Sequence, residues 1–236
     1  MDVERRSAKR YRLIREIVET IILAVLIFFL INQAIQNFDV EGLSMEPRLH
    51  SGERVMVDKV SYLFRAPAGG DVVVFVAPPQ PAENYVKRII AVPGDVISIN
   101  DGVPTVNGVT LHEFYIDSHR LRASPSDKPV HGLLVPSDHY FVMGDNRMDS
   151  YDSRSWGLLP RKDIIGRAAL VYWPFGVDNS GLLPDVSSVF ARVHQARSAA
   201  GPSPFMFSVL PGLAEQSWYV PGVAFDAVDP LRNVHL

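Results

Sequence analysis

The sequence predicts a mostly β protein: an antiparallel, barrel-like β domain with an inserted loop or small subdomain, preceded by one N-terminal transmembrane helix. Three observations predict it. Beyond residue 38 the chain runs in short β-type segments broken by turns, with no convincing helix between them. Before that point, Ile17 to Ile35 is mostly apolar, without interruption from Ile21 to Ile31; a bilayer asks for about 20 such residues. Between Leu111 and Pro136 the β signals give way to a polar stretch rich in Pro, Ser, Asp and His.

Taken in order, residues 1–15 carry Arg5, Arg6, Lys9, Arg10, Arg12 and Arg15 against Asp2 and Glu4. This basic flank predicts a cytoplasmic N-terminus, a single-pass anchor over 16–37, and everything after Asn37 on the outside. A cleavable signal peptide has a shorter apolar core followed by a small-x-small site, and residues 32–37 offer none. A buried soluble helix is rarely so uniformly apolar.

Within the β domain, 38–176, strands are expected over Arg54–Val57, Val72–Val76, Val86–Val92, Val96–Ile99, Tyr140–Met143 and Ala168–Trp173. Thr105-Val106-Asn107-Gly108-Val109-Thr110 reads as a hairpin, because Asn-Gly accepts the positive angles of a type I′ turn. In the tail, 177–236, only Val186 to Arg197 has a helical pattern. The apolar stretch from Phe205 to Phe225 is cut by Pro211 and Pro221 and holds Glu215, which argues against a second span. No role is assigned to this tail.

Composition removes several function classes. A net charge of −3 gives no basis for nucleic-acid binding. With no cysteine, disulfides, thiol nucleophiles and thiolate metal sites are excluded. The seven histidines include no His-x-x-x-His pair, so nothing calls for a metal or other cofactor.

Four stretches carry the chemistry. The first, Gly42-Leu43-Ser44-Met45-Glu46-Pro47-Arg48-Leu49, stands just outside the apolar segment. Alone it reads as a linker turn, shaped by a permissive glycine and a proline. The second is Tyr85-Val86-Lys87-Arg88-Ile89-Ile90-Ala91-Val92-Pro93-Gly94-Asp95, the third runs from Gly144 to Gly157, and Gly69-Gly70-Asp71-Val72-Val73-Val74-Phe75 lies between the first two. On a strand, Tyr85, Lys87 and Ile89 share one face and Arg88 points the other way.

In this order after an apolar segment, the four stretches resemble those of the bacterial type I signal peptidases (leader peptidases), over about Arg10 to Pro174. The resemblance implies a membrane-bound serine endopeptidase with Ser44 as nucleophile and Lys87 as general base. A serine hydroxyl needs a base to take its proton. No histidine lies in these stretches, and a neutral lysine, made so by burial, can serve. Ser150 matches a serine that orients the lysine by a hydrogen bond. Asp152 and Arg154 match a pair that shapes the site, and Asp145 lies in the same stretch. The neighbours Asp145, Asn146 and Arg147 can equally be turn formers. The backbone N–H of Ser44 is the expected oxyanion donor, and Gly42 stands where some members supply a hydroxyl. Arg48 stands where threonine is usual.

The implied substrates are secretory preproteins with small residues at the first and third positions before the cut. The implied location is the bacterial cytoplasmic membrane, in contact with lipid. Tyr62-Leu63-Phe64 has two readings, an apolar surface dipping into the bilayer or ordinary core. Two other classes compete: a self-cleaving Ser–Lys repressor-type protease, which would be soluble and carry a DNA-binding domain, and a non-catalytic anchored scaffold.

Overall fold

Val72-Val73-Val74-Phe75 sends alternate side chains to opposite faces of a sheet, and both faces are covered. Val72 and Val74 pack with Val55, Val57, Met45 and Leu49. Val73 and Phe75 pack with Tyr62, Ile89, Val142 and Leu159. This double burial explains an apolar run that does not alternate, and it places the segment at the centre of the fold.

The computed structural model describes residues 2–124, 127–176 and 179–199. Its elements are α1 (Asp2–Ala34), β1 (Ile35–Asp39), β2 (Arg54–Asp58), α2 (Ser61–Phe64), β3 (Val72–Ala77), β4 (Gln80–Ala91), β5 (Val96–Asn100), β6 (Val103–Val106), β7 (Val109–Thr110) and β8 (Val130–Leu134). Then come β9 (His139–Met143), α3 (Ser153–Trp156), β10 (Leu159–Pro160), β11 (Ile164–Trp173), β12 (Gly181–Leu182) and α4 (Ser187–Ala199). The expectation for Phe205–Phe225 lies outside the described residues.

The main sheet is antiparallel in the order β1-β2-β11-β3-β4-β9-β10, with β12 on β11, and a second sheet runs β7-β6-β5-β8. Among the described residues β1 and β10 do not pair with each other, so the expected barrel is an open sheet. Closure requires the end strands to meet in register, and β10 holds only two residues, both paired with β9. The predicted hairpin is present: Asn107 and Gly108 have φ of 51° and 77° between β6 and β7.

Two stretches that looked peripheral contribute to the core. Leu111, Tyr115 and Ile116 of the expected insertion are buried, as are Val186, Phe190 and Val193 at and before α4. All six pack with Ile90, Ile97 and Phe141. The Phe190 ring lies so close to Gly69 that a Cβ there would meet it at 2.6 Å.

The apolar side chains described in α1, from Ile14 to Ile31, are exposed. Among the described residues no helix is long and apolar enough to cross a membrane. The side chains of Arg5, Arg6, Lys9, Arg10 and Arg12 lie outside the described residues. Ile35 to Asn37, expected in the anchor, instead form β1 and pair with Asp58, Val57 and Met56.

Candidate active site

The loop after β1 carries Ser44. Met45 and Leu49 are buried and fix it to the core, and Gly42 takes a φ of +88° that other residues rarely adopt. A second clamp comes from Asn146, whose backbone N–H donates to Ser44 O at 3.0 Å. Its side-chain Nδ2 donates to Leu43 O at 3.2 Å. Gly144 makes this approach possible, since a Cβ there would collide with the Ser44 carbonyl and the Ser150 hydroxyl.

Lys87, on β4, places Nζ 2.7 Å from Ser44 Oγ. Nζ also donates to Val86 O at 3.1 Å. The Tyr85 ring centroid lies 5.3 Å away. The lysine is only 5% exposed. Burial lowers its pKa to about 8, opposed by the charges of Asp152 and Asp145 and assisted by Arg154. Arg88 does point away, as the strand period requires. It forms a buried two-pronged pair with Asp145 at 2.8 and 2.6 Å, donates to Gly70 O and lies 4.3 Å over the Tyr115 ring.

Asp152 gathers the third stretch. It accepts from Gly144 N at 2.9 Å, from Ser150 Oγ at 2.7 Å and from Arg154 Nε and Nη2 at 2.8 Å each. Burial raises its pKa, but the hydrogen bonds and charge of Arg154, with the hydrogen bonds from Gly144 N and Ser150, together outweigh it and hold the carboxyl below its ordinary value. The Ser150 hydroxyl therefore donates to Asp152, while Lys87 bonds to Ser44 and Val86. The direct Ser150–Lys87 hydrogen bond that the resemblance implies is not formed among these contacts. Arg154 also reaches Asp127 at 2.6 Å. Asn146 and Arg147 are more than turn formers: the fully buried Arg147 binds Gly144 O, Gly102 O and Glu113. A cleft of about 250 Å³ opens beside Ser44 and Lys87, lined by residues 38–41 on one side and 84–87 on the other.

A family profile described as "Signal peptidase, peptidase S26" matches residues 13–173. The chain belongs to this family. Among its relatives, "Probable signal peptidase I-2" of Synechocystis is 42% identical over 60% of this chain and 64% of that protein. "Probable thylakoidal processing peptidase 2, chloroplastic" of Arabidopsis thaliana is 40% identical over 57% of this chain and 37% of its own length. "Signal peptidase I" of Bacillus licheniformis is 35% identical over 73% of this chain and 95% of that protein. The chain thus spans less than two thirds of the first two of these relatives. The family match ends before α4, whose packing comes from outside it.

Sequence reasoning placed Ser44 and Lys87 together and missed what holds them. Asn146, Gly144 and Asp127 act on Ser44 or on Arg154 across long separations, and no local pattern marks such partners. The one available signal was the density of polar residues at 144–154, too many for a turn alone.

Proposed function

We propose that the protein is a membrane-anchored serine endopeptidase that removes signal peptides from secreted preproteins, with Ser44 as nucleophile and Lys87 as general base. One observation carries the reading: a buried lysine amine 2.7 Å from a serine hydroxyl at the side of a cleft. That distance allows direct proton transfer. As Ser44 Oγ bonds to the scissile carbonyl carbon, its proton passes to the neutral Lys87 amine. When the C–N bond breaks, Lys87 returns that proton to the departing nitrogen. Water, activated by the same amine, then hydrolyses the acyl–serine ester. The Ser44 backbone N–H is the oxyanion donor in this reading.

An extended substrate lies between the two lining segments. Its first and third residues before the cut point the same way, towards a lining that includes Val55, Val74 and Val86. The apolar length of α1 is the proposed anchor, with the N-terminus cytoplasmic. Leu63 and Phe64, 77% and 84% exposed, are proposed to touch lipid, whereas Tyr62 is core.

The test is purified protein in detergent with a preprotein, followed by sequencing of the new N-terminus. Cleavage after Ala, Gly or Ser is expected, and Ser44→Ala should abolish it. Efficient cleavage after Phe would overturn the specificity proposed.

A further inference from the structure

Glu46 and Arg48 follow the nucleophile by two and four residues. Glu46 Oε2 forms an ion pair with Arg120 Nη1 at 2.9 Å, and the side chains are only 19% and 25% exposed. The same carboxylate lies 3.5 Å from His50 Nδ1, and Arg120 Nε lies 3.8 Å from Asp117. Arg48 Nε donates to the Tyr115 carbonyl at 3.2 Å. Tyr115 in turn is 1% exposed and carries the Arg88 guanidinium over its ring. Arg88 is the residue next to Lys87. Segment 115–120 therefore touches the loop of the proposed nucleophile at two points and the strand of the proposed base at a third.

We propose that segment 115–120 is a brace that sets Ser44 against Lys87, with Arg120 and Arg48 as positioning residues. The proposal rests on the Ser44–Lys87 reading above. The loop is also held by Asn146 and by the buried Met45 and Leu49, and the contacts at Glu46 and Arg48 add the constraint that sets how Ser44 is presented. Breaking the pair leaves neither charge alone, since Glu46 keeps His50 and Arg120 keeps Asp117 nearby, whereas a displacement of about 1 Å at reacting atoms costs up to about 10² in rate. The brace therefore acts on kcat far more than on unfolding.

The experiment measures kcat, KM and melting temperature for full-length protein in detergent, with Ser44→Ala as control. Arg120→Glu and Glu46→Arg should each lower kcat about tenfold or more with KM within about threefold. The charge-swapped double variant should recover kcat to within about threefold of the unaltered protein. Arg120→Gln, the milder change, should show the kcat loss at a nearly unchanged melting temperature. Arg48→Ala should lower kcat through the separate Tyr115 contact. Unaltered kcat in Arg120→Glu and Arg120→Gln, or a kcat loss that the swap does not recover, would overturn the brace. Cleavage surviving in Ser44→Ala would overturn the Ser44 reading and the brace with it.

Discussion

Burial brings Lys87 to a pKa of about 8, so at pH 7 about one molecule in ten holds the amine neutral, against about one in three thousand for a free lysine. If this amine is the base, kcat/KM should rise with pH through a limb centred near 8. Lys87→Arg should be inactive despite its charge, because guanidinium keeps its proton, and activity in that variant would remove Lys87 as base. Stability follows with a definite sign. The unfolded lysine titrates near 10.5 and the folded one near 8, so between these values the unfolded state binds more protons and stability rises with pH. The full span is on the order of 3 kcal/mol. Lys87→Met should flatten that rise and should be more stable than the parent below pH 8, as chemical denaturation at several pH values would reveal.

The nucleophile loop shows how a short element constrains its residues. A Cβ at Gly42 would meet nothing within 4 Å, so space does not bar the first atom of a side chain there. The backbone penalises it: φ of +88° costs most residues about 1–2 kcal/mol. Gly42→Ser should lower kcat about tenfold or more, and Gly42→Asn should be milder than Gly42→Val, since Asn tolerates positive φ. Full activity in Gly42→Val would show that the loop reaches its working shape some other way. Elements with a local signature were legible in the sequence. Asn107-Gly108 announced its hairpin, and β3, β4, β9 and β11 were visible as β-branched or aromatic runs. The strand β1 was hidden because Ile35-Gln36-Asn37 reads as the polar end of the apolar segment. β8, Val-His-Gly-Leu-Leu, lacks alternation and bends at Gly132, φ 59°. Of the site, the proposed pair Ser44–Lys87, 43 residues apart, was legible only through the family resemblance, whereas Asp127–Arg154 and Glu113–Arg147 lie 27 and 34 residues apart with no motif or periodicity to link them.

At the scale of the whole molecule, a proposed cytoplasmic N-terminus and an outward β domain make a topological prediction. Protease added to cells with permeable outer layers should digest residues after Asn37 and spare 1–15, and protection of the domain would reverse the orientation. The barrel expected from strand count became an open sheet because counting strands does not reveal whether the outermost ones meet. The order β1-β2-β11-β3-β4 also has a consequence in time. Ser44 follows β1, Lys87 lies on β4, and β11, which begins only at Ile164, is wedged between β2 and β3. A ribosome adding about 5–20 residues per second needs roughly 4–15 s to travel from Lys87 to Ile164. Throughout that interval the two halves of the sheet lack the strand that joins them, so the proposed hydroxyl and amine are not yet neighbours. Under the proposed function, the chain therefore has no means of cutting other polypeptides while its own synthesis is unfinished.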